Sequence, residues 1–416
     1  MEKIVIEGGV SLKGEVLIGG AKNAALPIMV ASLLSSGESQ ISNIPQLRDI
    51  TTMGSLLTRL GIGFQSSENK VLLQAGSINS VEAPYDLVRT MRASVLVLGP
   101  LLAREGEAMV SLPGGCAIGA RPINLHLMGL KKMGAEITLS EGYIKARAGK
   151  LKGASIYFDI PTVTGTENLM MAATRADGVT VLENSACEPE VVDLANALIS
   201  MGADIKGAGT SVIKVKGVKT LRPLDYSIIP DRIEAGTFLV AAGMTQGEIK
   251  IKGCNPLHME AVINKLRETG LHISQEKDTL TAKGPGRLKP VNIKTTAYPG
   301  FPTDMQAQIM ALMTISGGTS IISENIFENR FMHVAEIRRM GADIKVESAT
   351  ATVKGVKSLK GAPVMATDLR ASASLVLAGL AAEGTTGVDR AYHLDRGYEK
   401  IEEKLRQLGA RIKRLK

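Results

Sequence analysis

The sequence predicts an α/β protein of six copies of one β-α-β-α-β-β unit, grouped as two domains of three, and three observations predict it. The first is a helix-end signal, an apolar residue followed by Gly and a short strand. It recurs as RLGIGF, KMGAEI, SMGADI, ETGLHI, RMGADI and QLGARI, with glycines at Gly61, Gly134, Gly202, Gly270, Gly341 and Gly409, a period near 70 residues. The second is a segment of small and aliphatic residues in every copy. The third is that the last copy stops at RIKRLK, short of its closing strands, while KIVIEGGVSLKGEVLIGG at the start of the chain reads like those strands.

Each element of the unit has its own reason. NAALPIMVASLL, RASVLVLGPLLA, NLMMAATRA, EAGTFLVAAGM, MQAQIMALMTI and RASASLVLAGLAA are apolar nearly all round, which suits a helix buried on every side. A Gly-containing turn and a strand follow, as in GESQISNI, GVTVLEN and GEIKIKG. An amphipathic helix comes next and ends at the repeated glycine, the residue type favoured just past a helix C-terminus. Alternating strands such as SVIKVKGV and TATVKGV close the copy. The expected domains are residues 21–229 and residues 1–20 with 230–416, with links near residue 20 and at SIIPDR.

Composition narrows the function classes. The chain of 416 residues carries a net charge of +8, which suits anionic ligands. Aromatics make up 3% and Trp is absent, so stacking platforms for single-stranded nucleic acid are scarce and the rival reading, a basic nucleic-acid scaffold, is disfavoured. Cys116, Cys187 and Cys254 lie far apart without CxxC, and five scattered histidines give no metal spacing. Cys187 and Cys254 read as buried, inert thiols. No leader and no apolar run of membrane-spanning length is visible, so a cytoplasmic protein is expected. GxxxxGK[ST], a strand-linked dinucleotide fingerprint and HExxH are all missing. No metal, cofactor, nucleic acid or membrane partner is expected.

Polar residues gather where strands run into helices. The junctions before the buried helices carry Lys22 and Asn23, Arg92, the run from Thr162 to Glu167, Arg232, Asp304 and Arg370. Those before the amphipathic helices carry Arg48, Arg121, Glu190, His258, Arg330 and Arg396. Helix starts present unpaired N–H groups and the positive end of the dipole, so a cleft lined by them would hold anions. Asp304 also fits an N-cap before MQAQ. Cys116 in SLPGGCAIGARP stands among glycines with Arg121 close by, a setting that lowers a thiol pKa.

GGAKNAALPIM (19–29), TMRAS (90–94), LPGGCAIGARPINLH (112–126), PDRIEAGTF (230–238), YPGFPTDMQAQ (298–308), ENIFENRFMHV (324–334), TDLRASASLVLAG (367–379) and HLDRGYEKIEEKL (393–405) closely resemble the enolpyruvyl transferases that act on UDP-N-acetylglucosamine. The resemblance runs from end to end. It implies two inside-out α/β domains built around buried helices, with a cleft between them. It also implies transfer of the enolpyruvyl group of phosphoenolpyruvate to the 3′-hydroxyl of UDP-N-acetylglucosamine, the committed step of peptidoglycan synthesis, without a cofactor.

By the same resemblance, Lys22, Asn23, Arg121, Arg370 and Arg396 bind phosphoenolpyruvate, and Asp304 faces the sugar hydroxyl as general base. Cys116 is the acid toward C3 and the residue alkylated by fosfomycin. Asn23, Arg92, Arg121, Pro122, Ile123, Asn124, Leu125, Thr162, Val163, Asp304 and Ile326 would meet the nucleotide sugar, with Arg330 and Asp368 in support. Two departures stand out. Where some members read K-V-S-V-G and supply a pyrophosphate lysine, this chain has Ile160, Pro161, Thr162, Val163 and Thr164. Asn124 also stands where Asp is frequent.

Overall fold

The computed structural model describes residues 2–112 and 123–415, which fall into two compact units, 20–112 with 123–229 and 2–19 with 230–415. Each contains three four-stranded sheets of one strand order. An edge strand pairs in parallel with the strand that follows the buried helix. The closing strand lies antiparallel to that strand, and the strand after the amphipathic helix completes the sheet.

In the 20–229 unit the three sheets are Asp225–Ser227, Gly37–Ser42, Lys70–Ala75 and Ile62–Ser67; Glu82–Ala83, Glu107–Ser111, Tyr143–Arg147 and Glu136–Ser140; and Ser155–Tyr157, Val179–Glu183, Val212–Lys216 and Asp204–Lys206. Their strands alternate buried and exposed residues, as VIKVK does from 212 to 216, so each sheet shows one face to solvent. The helices supply the interior. Gly165 to Ala173 of helix Val163–Ala173 are all buried, as are nine of the ten residues of Lys22–Ala31, so apolar composition without a polar face becomes burial on every side. Two buried helices begin as tighter 3₁₀ turns, at Arg92–Val97 before Leu98–Glu105 and at Thr303–Met305 before Gln306–Met313.

The repeated glycine behaves as its position requires. Gly61, Gly134, Gly202, Gly270, Gly341 and Gly409 have φ of 104°, 92°, 105°, 96°, 92° and 98°, the left-handed conformation in which a Cβ is strained.

The chain start divides between two sheets of its own unit. Lys3–Glu7 lies antiparallel between Thr385–Asp389 and Arg411–Leu415 and is the closing strand of the sixth copy. Lys13–Leu17 does not join that sheet. It pairs in parallel with Glu248–Lys252 as the edge strand of the fourth copy, the place that Asp225–Ser227 takes beside Gly37–Ser42. The closing-strand reading of residues 1–20 is therefore corrected for its second half. A parallel partner has no short turn to announce it, and this one is more than 200 residues away.

Candidate active site

On the 20–229 unit, Lys22 opens helix Lys22–Ala31 and is 8% exposed. Its Nζ lies 3.2 Å from Oδ2 of Asp49, which is buried in the first turn of helix Arg48–Leu60. A buried ammonium needs such a partner. Asn23 beside it is exposed, and Arg92, first residue of its 3₁₀ turn, is half-buried.

Thr162 caps helix Val163–Ala173, its Oγ1 accepting from Gly165 N at 3.2 Å. Val163 is the first helical residue, and Ile160 is 56% exposed. Asn124 opens helix Asn124–Lys132 as an exposed residue, Leu125 is buried and Ile123 is half-buried.

The Thr162 and Asn124 helices are joined by Asn168 and His126. Asn168 Nδ2 donates to Val95 O at 3.2 Å and stands 3.0 Å from His126 Nδ1, so both its hydrogens are used and Nδ1 must accept. His126 Nε2 then carries the ring proton, 3.4 Å from Thr164 Oγ1. Burial drives the His126 pKa down to about 4, in agreement with a neutral ring.

On the 230–415 unit, Asp304 is held between two arginines. Arg330 Nη2 donates to Oδ1 at 2.9 Å and Arg370 Nη2 to Oδ2 at 2.8 Å, both guanidinium side chains being about 5% exposed or less. Burial opposes the charge on Arg370, but the Asp304 carboxylate holds its pKa above the ordinary value. The N-cap reading of Asp304 is corrected. The carboxylate makes no cap bond to helix Gln306–Met313, since both oxygens are turned to the arginines.

Asp368 does cap its helix, Oδ1 accepting from Arg370 N at 2.9 Å and Ala371 N at 3.1 Å, which fixes the turn bearing Arg370. His333 is buried, and burial brings its pKa to about 4, with Asp368 opposing and Arg330 adding to the shift. Arg396 ends the 3₁₀ turn Ala391–Arg396 and is half-buried, and Ile326 is 41% exposed.

Cys116, Arg121 and Pro122 lie outside the described residues. Of the other thiols, Cys254 is buried and burial pushes its pKa up to about 11. Cys187 is half-buried rather than buried, with its pKa raised by burial and by Glu188. Neither favours the reactive thiolate.

Sequence reasoning gave no role to Asp49, Thr237, Gln308 or Tyr398. Gln308 had a signal, as a polar side chain in the apolar run MQAQIMALM, and Tyr398 stood inside the DRGYE motif.

The sequence profile of EPSP synthase (3-phosphoshikimate 1-carboxyvinyltransferase) matches residues 6–405. Proteins named UDP-N-acetylglucosamine 1-carboxyvinyltransferase are similar over the full length. The one from Thermodesulfovibrio yellowstonii is 63% identical, covering 100% of both chains, and the one from Trichlorobacter lovleyi is 61% identical, covering 100% of this chain and 99% of its own. Among solved structures, the enolpyruvyl transferase NikO from Streptomyces tendae superposes with a TM-score of 0.89 at 25% identity, covering 99% of this chain and 98% of its own. An EPSP synthase from Acinetobacter baumannii, at 17% identity and a TM-score of 0.76 over 100% of both chains, shares the fold. With a family profile spanning nearly every residue and relatives above 60% identity from end to end, the chain belongs to the EPSP synthase family of 1-carboxyvinyl (enolpyruvyl) transferases.

Proposed function

We propose that the chain transfers the enolpyruvyl group of phosphoenolpyruvate to the 3′-hydroxyl of UDP-N-acetylglucosamine and releases phosphate, the committed step of peptidoglycan synthesis. The observation that carries the choice of acceptor is the 63% identity over the whole chain to a UDP-N-acetylglucosamine 1-carboxyvinyltransferase. The reaction is an addition followed by an elimination. The sugar oxygen bonds to C2 of phosphoenolpyruvate while C3 takes a proton, giving a tetrahedral adduct that bears both carboxylate and phosphate. Loss of a proton from C3 and cleavage of the C2–O bond to phosphate then give the enol ether.

Such an adduct needs fixed positive charge around it. Lys22, Arg121, Arg370 and Arg396 supply that charge, with Asn23 alongside. Asp304 takes the hydroxyl proton. Its two arginines hold one oxygen each through charge-assisted bonds, which fixes the carboxylate in place. Cys116 delivers the proton to C3. The nucleotide sugar is held by Arg92, by the run Arg121, Pro122, Ile123, Asn124 and Leu125, by the capped turn at Thr162 and Val163, and by Ile326. Arg330 and Asp368 hold Asp304 and Arg370 in place. The reaction calls for no cofactor.

Among the described residues no helix is long and apolar enough to cross a membrane. Cys187 and Cys254 are unpaired thiols, in keeping with a reducing cytoplasm, where we place the protein.

Phosphate release from phosphoenolpyruvate, measured with UDP-N-acetylglucosamine and separately with shikimate 3-phosphate, tests this reading. Release with the nucleotide sugar is expected, and release with shikimate 3-phosphate alone would overturn the acceptor.

A further inference from the structure

Tyr398 has the largest side chain that is fully buried among the described residues, 1% exposed, yet its hydroxyl is bonded on two sides. The protons on this cluster can be assigned by elimination. Thr237 Oγ1 donates to Ile233 O at 2.8 Å, which uses its only hydrogen. Across the 3.0 Å between Thr237 Oγ1 and Tyr398 OH, the tyrosine must therefore donate. Its oxygen in turn accepts from Gln308 Nε2 at 3.1 Å. The second hydrogen of that amide goes to Asp304 O at 2.9 Å, a shorter contact than the 3.4 Å from the same nitrogen to Thr237 Oγ1. One directional chain thus runs from Gln308 through Tyr398 and Thr237 to the first turn of helix Arg232–Met244, and its first member also grips the main chain of Asp304. Burial raises the phenol pKa, so the hydroxyl keeps the proton the chain needs.

The ring has a second contact. Arg370 Cζ lies 5.5 Å from its centroid, within cation–π range. Arg370 is 4% exposed, gives Nη2 to Asp304, and leaves Nη1 buried with no hydrogen-bond partner among the described residues. A buried guanidinium nitrogen of that kind calls for an anion, and its direction depends on the plane in which the ring and Asp304 hold the guanidinium.

From this geometry we infer that Tyr398 is a positioning residue for enolpyruvyl transfer: its ring sets the plane of the Arg370 guanidinium, and its hydroxyl, through Gln308, ties that plane to the turn bearing Asp304. The inference deepens the function proposed above and rests on it. Tyr398 itself touches no substrate. It acts through Arg370, which directs Nη1 to the anionic group of the adduct.

A double-mutant cycle tests this. The kcat and KM for phosphoenolpyruvate are measured for the unsubstituted chain, Arg370→Lys, Tyr398→Leu and the double variant, with circular-dichroism melts alongside. Each single change is expected to lower kcat about 10²-fold, the usual cost of a misplaced group, with a smaller change in KM. Because the two act as one unit, the double variant should stay within about tenfold of Arg370→Lys. Losses that multiply to about 10⁴-fold would reduce Tyr398 to packing and overturn the inference, as would full activity of a folded Tyr398→Leu.

Should the leucine variant fail to fold, Tyr398→Phe replaces it in the cycle. A loss in kcat that disappears in the Arg370→Lys background supports the inference, and one that persists overturns it. The unsubstituted chain distinguishes the two failures. Turnover with UDP-N-acetylglucosamine and an additive cycle would remove only Tyr398, whereas turnover with shikimate 3-phosphate alone would remove the acceptor, and the cycle would be read on that substrate.

Discussion

Asp304 and Arg370 show how a buried guanidinium is paired with a carboxylate that keeps some exposure. Arg330 and Arg370 occupy one lone pair on each Asp304 oxygen, and the arginines are covered while the carboxylate side chain remains 25% exposed. Asp304→Ala should therefore have two effects. It should leave two buried guanidinium groups without their shared anion and lower stability by about 3–5 kcal/mol, read as a shift in the urea midpoint. It should also reduce kcat about 10²–10⁴-fold, with much less change in substrate affinity, as the loss of a proton acceptor in the transition state requires. A rate within threefold of the parent would remove Asp304 from the base role. At Cys116, Cys116→Asp should retain turnover and escape alkylation by fosfomycin, while Cys116→Ala should be much slower. Full activity of the alanine variant would take the acid role away from the thiol. The sequence made the charged residues legible because they recur at helix starts. It could not tell an N-cap from an arginine-clamped carboxylate at Asp304, since both need an acid just before a helix. The difference lies in Arg330 and Arg370, which are distant in sequence. The partner of Lys22 was hidden for the same reason, as Asp49 reads only as a favourable first-turn acid.

At the scale of elements, the buried helices were legible from composition, and their close packing was not. Gly99 lies in helix Leu98–Glu105, where its N–H donates to Asn168 Oδ1 at 2.8 Å, and an added Cβ would fall inside the shells of both Asn168 oxygens. The helix carrying Asn168 cannot move aside, because Asn168 also holds Val95 and His126. Gly99→Ala should thus destabilise the protein by about 1–3 kcal/mol despite alanine's better helix propensity, measured as a lower urea midpoint with an unchanged slope. A midpoint equal to or above the parent's would show that the two helices can separate without cost. The amphipathic helices and their C-terminal glycines were plain in the sequence because a local rule, the left-handed C′ residue, governs them. Strand Lys13–Leu17 was not, because pairing in parallel with Glu248–Lys252 is a property of the folded unit.

Across the whole molecule, six copies of one unit yield six sheets of one strand order, and buried polar groups give the molecule a pH response. His126 has a folded pKa of about 4 against an ordinary value of 6.5. The unfolded chain therefore binds more protons between those values, so this contribution is complete above pH 6.5 and is lost as pH falls toward 4, by up to about 3 kcal/mol. Asp193 runs the other way. Burial raises its pKa to about 6, although its oxygens accept from Tyr226 OH at 2.6 Å and Ile229 N at 3.1 Å, so its contribution is lost as pH rises through the range from 3.8 to about 6. The two partly cancel, and the clean readout is a difference. Urea unfolding of His126→Gln should show less loss of stability than the parent between pH 6.5 and pH 4, and an identical pH dependence would contradict a neutral, buried His126. The central claim is addition followed by elimination on UDP-N-acetylglucosamine, and it predicts where solvent hydrogen must go. With phosphoenolpyruvate and UDP-N-acetylglucosamine in deuterium oxide, C3 passes through a methyl group and returns to a methylene. Mass spectrometry of the product should then find deuterium in the enolpyruvyl methylene of a 3′-ether, whereas an enolpyruvyl product free of deuterium, or no nucleotide-sugar product at all, would contradict the account.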